Sequence, residues 1–366
     1  MSDIAVKNKS KITMKKMLPA KKIFLKGNEA VVFGALIAGC ESYYGYPITP
    51  ASEIAHTSAK YFPLLSRTFL QAESEIAAIN MIYGASACGE RTMTASSGPG
   101  ISLKSEGISY LAGCELPCLI VDIMRAGPGL GNIGPEQSDY NQLTKGGGHG
   151  DYHCIVLAPN SVQEMLDFAI KGFELADHYR TPVFIAADGV IGQMMEPVSF
   201  PEAHISRAEK PWALTGDKRS ENILHTSIYL DFDELETHNN KLQKKFGEIE
   251  EKEELAEEYL TDDADVILIG YGIISRQLKS LVNHAREIGI KAGLIRPITL
   301  WPFPKKTVNK YIGKVKKLIV VEMSNGQMYS DIKLFTESKI PIKLLYRLGG
   351  NLIENETVLN EIKSSL

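Results

Sequence analysis

Apolar and polar positions alternate along most of the chain in a pattern that predicts strands followed by helices. From about residue 26, apolar runs of strand length include RTMTAS, CLIVDIMR, HCIVLAP and PVFIAADG. Between them lie helix-length segments in which apolar residues recur every three or four positions, such as ISLKSEGISYLAG and SVQEMLDFAIKGFELADHY. Strands separated by helices of this length predict an α/β fold with a mainly parallel sheet that is covered on both faces.

The same pattern divides the chain into four parts. Residues 1–24 form a basic N-terminal arm rich in lysine, and residues 25–200 form the first α/β domain. Residues 201–261 have few apolar runs and carry the acidic tract EIEEKEELAEEYLTDD, which is typical of a charged linker or insertion with a solvated helix face. Residues 262–366 return to strand–helix alternation in DVILIGYG, SRQLKSLVNHAREIG, KAGLIRPI and KLIVVEM, which predicts a second, smaller α/β domain.

Composition narrows the class of protein. The 366 residues are 44% hydrophobic and 23% charged, with a net charge of -4, which is ordinary for a globular protein and lacks the basic face that nucleic-acid binding needs. No apolar run approaches the roughly 20 residues of a membrane span. The five cysteines are scattered without a CxxC pair, which favours reduced thiols, a cytoplasmic location and no iron–sulfur cluster on this chain.

Ligands of open parallel sheets bind beyond the carboxyl ends of the strands, which selects the loops GYPITP, SSGPG and MRAGPGLGN. The loop GPGLGN is a weak match to a phosphate-binding fingerprint, because Pro135 interrupts it. GYGIIS lacks the third glycine of a nicotinamide site, and Arg296 stands where that site needs an acid. Asp188 begins a sequence like the diphosphate and magnesium motif, but the asparagine expected about two dozen residues later is missing. We therefore expect no metal site on this chain.

The segment QAESEIAAINMIYGASACG, residues 71–89, predicts a helix over 75–88 that begins beside two carboxylates, Glu73 and Glu75. A carboxylate on the buried side of such a helix is costly unless it has a partner. One interpretation is that backbone amides at the helix N-terminus satisfy Glu75. The other interpretation is that a bound ligand supplies the hydrogen-bond partner of Glu75.

Four long motifs carry a family resemblance. They are GNEAVVFGALIAGCESYYGYPITPASEI, the segment with Glu75, SSGPGISLKSEGISYLAGCELPC and MRAGPGLGNIGPEQSDYNQLTKGGGHGDY, and GLIRPITLWPFP and VVEMSNGQM extend them. Together they resemble the alpha-type subunit of 2-oxoacid:ferredoxin oxidoreductases from about residue 24 onwards. Within that family, AESEIAAINMIYGA and the GPGLGN loop most resemble the 2-oxoisovalerate (branched-chain) branch, with the 2-oxoglutarate branch as the alternative.

The resemblance implies a pyrimidine-binding-type domain of thiamine diphosphate enzymes, followed by a smaller transketolase-C-terminal-like domain. Glu75, Ala78 and Gly84 fit the family pattern E-x-x-A-x-x-x-x-x-G. Glu75 would then hydrogen-bond the N1′ nitrogen of the cofactor pyrimidine. A proton shared there favours the imino tautomer, which activates the thiazolium carbon. Glu73 fits no role in the pattern and is expected to be solvated or to cap the helix.

The resemblance also assigns a substrate clamp. Thr49 and Arg125 match the family residues that contact the carboxylate of the 2-oxoacid, for which the planar fork of arginine is suited. Without the resemblance, Thr49 would be a turn residue before Pro50, and Arg125 a surface ion pair. The remaining residues expected to line the cofactor pocket are Pro47, Ile48, Ser96 and Ser97.

The chain lacks motifs for the diphosphate, for magnesium and for iron–sulfur clusters, so the resemblance implies a multisubunit enzyme. A beta-type subunit would hold diphosphate and magnesium, a gamma-type subunit would serve coenzyme A chemistry, and a ferredoxin-like delta-type subunit would carry the clusters. The expected reaction is oxidative decarboxylation of 2-oxoisovalerate and related branched-chain 2-oxoacids to acyl-CoA, with reduction of ferredoxin. A non-catalytic assembly subunit and a self-sufficient thiamine enzyme are the competing hypotheses. The second domain is expected to stabilise the assembly, with the loop from Arg296 to Trp301 against a partner.

Overall fold

The computed structural model describes residues 22–201 and 209–365. The basic arm predicted for residues 1–24 lies outside the described residues up to position 21. In the first part of the chain the strands are β1 (Ile23–Lys26), β2 (Ser42–Gly45), β3 (Thr68–Gln71), β4 (Thr92–Ser96), β5 (Leu119–Met124), β6 (Ile155–Leu157), β7 (Val183–Asp188) and β8 (Met195–Val198). The helices are α1 (Gly27–Ile37), α2 (Ser52–Tyr61), α3 (Glu75–Ala87), α4 (Gly98–Gly113), α5 (Tyr140–Thr144), α6 (Val162–Tyr179) and α7 (Gly189–Gln193).

The later elements follow the same alternation. The helices are α8 (Phe232–Lys252), α9 (Gly272–Glu287), α10 (Lys305–Asn309), α11 (Gln327–Phe335) and α12 (Asn355–Ser364). The strands are β9 (Ala256–Tyr259), β10 (Val266–Ile269), β11 (Ala292–Pro297), β12 (Thr299–Trp301), β13 (Lys317–Glu322) and β14 (Ile342–Tyr346).

The larger sheet has the strand order β12-β6-β7-β5-β4-β2-β3. All its neighbouring strands run parallel except β12, which is antiparallel to β6. Every residue of the central strand β5 is buried, as expected where helices cover both faces of a parallel sheet. The register pairs Ser96 with Asp122 and Met124 with Asp188, so the carboxyl ends of β4, β5 and β7 meet at one edge.

The smaller sheet has the order β14-β13-β10-β11-β9, with β9 antiparallel to β11. Strand β9 belongs to this sheet although it lies in the range 201–261 that the sequence assigns to a charged linker. Helix α8, from the same range, buries only Leu242, Phe246 and Ile249, and this spacing of four and three residues makes one apolar stripe on a charged helix.

The two sheets are tied together by the chain itself. Strand β12 leaves the smaller domain and joins the edge of the larger sheet beside β6. The Arg296 guanidinium, 2% exposed, donates hydrogen bonds to Glu164 Oε1 at 2.9 Å and to Glu257 Oε2 at 3.2 Å. Trp301 is also buried and stacks on His153 with ring centroids 4.6 Å apart. The expectation that residues 296–301 face a partner is therefore wrong, because these side chains join the two domains of this chain.

Candidate active site

Glu75 is the first residue of α3, and the local sequence fixes where that helix begins. Ser74 is extended and its hydroxyl accepts a hydrogen bond of 3.1 Å from the Ala77 backbone N–H, which is a standard N-terminal cap. The cap turns Glu75 inward, where 6% of the residue is exposed, and turns the neighbouring Ile76 outward. Glu73, one position before the cap, is exposed and accepts a hydrogen bond from the Ser74 hydroxyl.

The carboxylate of Glu75 has no hydrogen-bond partner among the residues that the structure describes. One interpretation of the sequence was that the backbone amides of α3 satisfy this carboxylate. They do not. Its nearest neighbours lie around Gly100 in α4, where a Cβ would be 2.0 Å from Ser96 Oγ and 2.8 Å from Glu75 Oε1. The hydroxyls of Ser96 and Ser97 are likewise buried without partners in the described parts of the chain. Side-chain oxygens from α3 and β4 thus converge on Gly100 of α4, at a point where any Cβ would overlap them.

Buried titratable groups that the sequence did not predict lie near Glu75. Lys104, on the inner face of α4, is 0% exposed and its ammonium lacks a hydrogen-bond partner in residues 22–201 and 209–365. Burial lowers the pKa of Lys104 to about 8, and the carboxylates of Glu75 and Asp122 oppose that shift. Burial, followed by the neighbouring Asp139 carboxylate, raises the pKa of Asp122 well above its usual value. Burial also raises the pKa of Asp139 to about 6.

Thr49 and Arg125 come together at the same edge of the sheet. Arg125 Nη1 donates a hydrogen bond of 2.8 Å to the Thr49 backbone carbonyl, and Nη2 donates one of 2.9 Å to the carbonyl of Leu130. The Thr49 side chain stands in the exposed loop after β2, where Pro47 is exposed and Ile48 is half-buried. Two of the five N–H donors of the guanidinium are engaged in this way, and the others remain for a ligand.

The predicted residues therefore form two groups. Glu75 and Ser96 meet at Gly100, and Thr49 meets Arg125, but no hydrogen bond in the described chain joins the two groups. Both groups stand at the carboxyl edge of β2, β4 and β5, which are neighbours in the sheet. A cavity of about 410 Å³ opens beside Arg125 and is shared with the second domain; its other lining residues include Gly98, Asp139, Asn325, Gln327 and Leu348.

Two further sequence positions can be placed. A Cβ at Gly84 of the family pattern would meet no atom within 4 Å, so packing within this chain does not require glycine there. Asp188 is buried, and its carboxylate accepts hydrogen bonds from the backbone N–H groups of Val190, Ile191 and Ile273 at 2.8 to 3.1 Å. Asp188 thus caps α7 and holds the second domain through Ile273.

These features define a class of protein. A parallel sheet whose carboxyl edge presents an unpartnered helix glutamate, followed by a smaller α/β domain, is the arrangement expected of a thiamine diphosphate enzyme. Residues 33–259 match the family model of the thiamine diphosphate-binding domain of pyruvate flavodoxin/ferredoxin oxidoreductase. Residues 264–358 match core domain II of pyruvate:ferredoxin oxidoreductase. The chain belongs to this family, that of the 2-oxoacid:ferredoxin oxidoreductases.

Individual relatives agree with the family and with the branch. The chain is 58% identical over 340 residues to the ketoisovalerate oxidoreductase subunit VorB of Methanothermobacter marburgensis, covering 93% of this chain and 96% of that protein. It is 35% identical to the 2-oxoglutarate synthase subunit KorA of the same organism, covering 93% and 98%. The resemblance to the branched-chain branch is thus confirmed as the stronger of the two.

Solved structures confirm the fold. The 2-oxoglutarate:ferredoxin oxidoreductase of Magnetococcus marinus, solved with 2-oxoglutarate, coenzyme A and succinyl-CoA bound, superposes with a TM-score of 0.85 at 30% identity. The match covers 95% of this chain and 66% of that chain. A split-gene transketolase shares the fold at 14% identity with a TM-score of 0.59, covering 93% and 98%. Within residues 22–201 and 209–365, no helix combines the length and apolar character that crossing a membrane requires.

Proposed function

We propose that this chain supplies one half of each active site of a coenzyme A-dependent 2-oxoacid:ferredoxin oxidoreductase whose preferred substrate is 2-oxoisovalerate. The enzyme oxidatively decarboxylates this and related branched-chain 2-oxoacids to acyl-CoA and passes the electrons to ferredoxin. The 58% identity to a ketoisovalerate oxidoreductase subunit supports the choice of substrate. The alternative, a 2-oxoglutarate enzyme, has the weaker support of relatives at 35% identity.

The observation that carries the proposal is Glu75, a residue only 6% exposed whose carboxylate makes no hydrogen bond within the described residues. Such a group is destabilising unless a ligand completes it. A pyrimidine ring carries ring nitrogens and an exocyclic amino group, which suit the acceptor on Glu75 and the hydroxyls of Ser96 and Ser97. The residues present therefore fit the pyrimidine half of thiamine diphosphate, with Pro47, Ile48 and Thr49 at the rim.

When bound, thiamine diphosphate supplies the carbanion stabilisation that decarboxylation of a 2-oxoacid requires. Glu75 would hold a proton against the pyrimidine N1′, and a charge-assisted hydrogen bond of this kind is strong where the local dielectric is low. Arg125 and Thr49 bind the substrate carboxylate and orient the 2-oxo carbon. The loop carbonyls of Thr49 and Leu130 hold the guanidinium in place for that task.

The other half of the site is assigned to partner subunits. A beta-type subunit would bind the diphosphate through magnesium, a gamma-type subunit would serve coenzyme A chemistry, and a ferredoxin-like delta-type subunit would carry the iron–sulfur clusters. The relatives of this chain are themselves named as subunits, which supports a multisubunit assembly. A non-catalytic assembly role remains the competing proposal.

The test is coenzyme A-dependent reduction of a viologen dye by the co-expressed complex, with kcat/KM measured for 2-oxoisovalerate, 2-oxoglutarate and pyruvate. We expect kcat/KM for 2-oxoisovalerate to exceed that for the other two 2-oxoacids by about 10-fold or more. One methylene group in an apolar pocket changes kcat/KM by about 10- to 200-fold. A preference for 2-oxoglutarate would move the substrate to the alternative branch. An assembled complex whose rate does not depend on this chain would favour the assembly role.

A further inference from the structure

A buried carboxylate lies beside the proposed substrate clamp. Glu136 follows the glycine-rich loop of residues 126–135, is 2% exposed and lines the same cavity as Arg125. Its Oε2 accepts hydrogen bonds of 3.0 Å from the Gly127 backbone N–H and the Ser138 hydroxyl. Its Oε1 accepts one of 2.7 Å from the Gly349 backbone N–H. A carboxylate at this depth is costly unless hydrogen bonds satisfy it, so these three donors fix its position.

The two backbone donors belong to different domains. Gly127 lies in the 126–135 loop, whereas Gly349 follows strand β14 of the second domain. A second link runs beside the first, because Asn132 Nδ2 donates a hydrogen bond of 3.2 Å to the Gly349 carbonyl. Asn132 Oδ1 in turn accepts one of 2.7 Å from the Gly134 N–H. Glu136 and Asn132 thus hold the N–H and the carbonyl of Gly349 and join the loop to the second domain.

The same loop holds the guanidinium of Arg125. The carbonyl of Leu130 accepts a hydrogen bond of 2.9 Å from Arg125 Nη2. The loop is closed on itself, because the Ala126 N–H donates to the Gly134 carbonyl at 2.9 Å and the Asn132 N–H donates to the Ala126 carbonyl at 3.0 Å. A shift of this closed loop against the second domain therefore displaces the Leu130 carbonyl, and the guanidinium loses one of its two supports.

We propose that Glu136 is a positioning residue for binding of the 2-oxoacid carboxylate. It fixes the 126–135 loop against the second domain, and the loop in turn aims Arg125. This inference rests on the proposed role of Arg125 and deepens it. The second domain then takes part in substrate binding through Gly349, although Arg125 itself belongs to the first domain.

The proposal differs from a role in which Glu136 only joins the two domains. A residue that only joins domains would weaken the complex to the same extent whichever side chain stood at position 125. A residue that acts through Arg125 would affect substrate binding only while the arginine is present. The dependence of one substitution on the other is therefore the quantity that separates the two roles.

The experiment measures KM and kcat for 2-oxoisovalerate in complexes that carry Glu136→Gln, Arg125→Lys or both changes. Glutamine keeps the shape of glutamate but has one carbonyl oxygen, so either Gly127 or Gly349 loses its acceptor. We expect Glu136→Gln to raise KM by about 5-fold, with kcat within about twofold of wild type. In the Arg125→Lys background the same change should raise KM by less than about twofold. Glu221→Gln, at an exposed position, is the matched control and should behave as wild type.

A second variant keeps the test independent of the assembly of Glu136→Gln. Asn132→Asp lies at an exposed position and retains the acceptor for the Gly134 N–H, but it removes the donor to the Gly349 carbonyl. We expect Asn132→Asp to raise KM by about 3-fold, again only while Arg125 is present.

The outcomes separate this inference from the proposed function. An unchanged or lowered KM in Glu136→Gln would overturn the role of Glu136, and so would an equal rise in both backgrounds. Each of these results leaves the clamp standing as long as Arg125→Lys alone raises KM. An unchanged KM in Arg125→Lys alone would instead overturn the clamp in the proposed function.

Discussion

The guanidinium of Arg125 donates a hydrogen bond of 2.8 Å to the backbone carbonyl of Thr49, across 76 positions of sequence. Arg125 ends strand β5 and Thr49 lies in the loop after β2, with β4 between the two strands in the sheet. The bond sets the position of the loop and the direction of the guanidinium together. A substrate carboxylate placed between the two residues would therefore find both already oriented, which lowers the entropic cost of binding.

Replacement of Arg125 by lysine should weaken substrate binding more than it slows chemistry. Lysine keeps the charge but cannot hold both the Thr49 and Leu130 carbonyls and a carboxylate in one plane. We expect KM for the 2-oxoacid to rise about 10-fold or more, with a smaller fall in kcat. Steady-state kinetics of the complex measure both. Arg219→Lys, at an exposed position, serves as the control. An unchanged KM in Arg125→Lys would show that Arg125 does not bind the substrate carboxylate.

Gly100 should tolerate no side chain. A Cβ there would overlap Ser96 Oγ at 2.0 Å and crowd Glu75 Oε1 at 2.8 Å, so Gly100→Ala must move both oxygens. We expect affinity for thiamine diphosphate to fall about 10-fold or more, which is about 1.4 kcal/mol. Gly247→Ala is the matched control, because its Cβ would meet no atom within 4 Å and alanine favours the helix. Normal cofactor affinity in Gly100→Ala would mean that the ligand does not lie against this part of α4.

The two domains should separate more easily when Arg296 is lost. Arg296→Met keeps the apolar stem but leaves the carboxylates of Glu164 and Glu257 without their shared cation. Breaking a buried pair costs about 3–5 kcal/mol, and partial exposure of these two glutamates places the expected loss at about 2–4 kcal/mol. Chemical denaturation of the complex measures it. Arg347→Met, whose partner Glu354 is 3.7 Å away at the surface, should change stability by less than about 1 kcal/mol.

Glu322 should make stability depend on pH near neutrality. Burial raises the pKa of Glu322 to about 7, although Met328 N–H and the Ser324 hydroxyl hydrogen-bond the carboxylate. Because the folded state binds this proton more tightly than the unfolded chain, the contribution is fully present below about pH 4.5 and is lost as the pH rises through about 7. Between pH 8 and pH 5.5 we expect the free energy of unfolding to increase by about 1–2 kcal/mol. The melting temperature should rise by a few degrees as a result.

Glu322→Gln provides the control for that dependence. The variant cannot titrate at this position, so its melting temperature should change less than that of the wild type over the same pH range. The difference between the two profiles isolates Glu322 from the other carboxyl groups of the complex. Parallel profiles would show that Glu322 does not carry the effect.

Much of the fold could be predicted from local pattern alone. The helix expected over 75–88 is Glu75–Ala87, and the apolar run CLIVDIMR gives the fully buried strand β5. Such elements are determined by periodicity and caps that lie within a few residues of one another. The strand β12 could not be predicted in this way, because its partner β6 lies about 140 positions earlier and in the other domain. Pairing at such separation is decided by tertiary packing.

The candidate site shows the same division. Glu75, Thr49 and Arg125 came from family motifs, and their assignment to a cofactor and a substrate stays a prediction. Lys104 was missed, although a lysine between Ile101 and Ile108 on an apolar helical stripe is a readable signal. Asp122, inside the apolar run CLIVDIMR, was a second signal of the same kind. Neither residue reveals its neighbours in sequence, so the approach of Lys104 and Asp122 to each other could only be seen in the fold.

The most direct test of the central claim compares Glu75→Gln with Glu73→Gln. Both changes remove one negative charge, two positions apart, but only Glu75 is buried beside Ser96 and Gly100. We expect Glu75→Gln to lose about 100-fold or more of the coenzyme A-dependent rate with 2-oxoisovalerate, and Glu73→Gln to stay within about twofold of wild type. Full activity in Glu75→Gln within an intact complex would contradict the account, because Glu75 would then be a structural carboxylate.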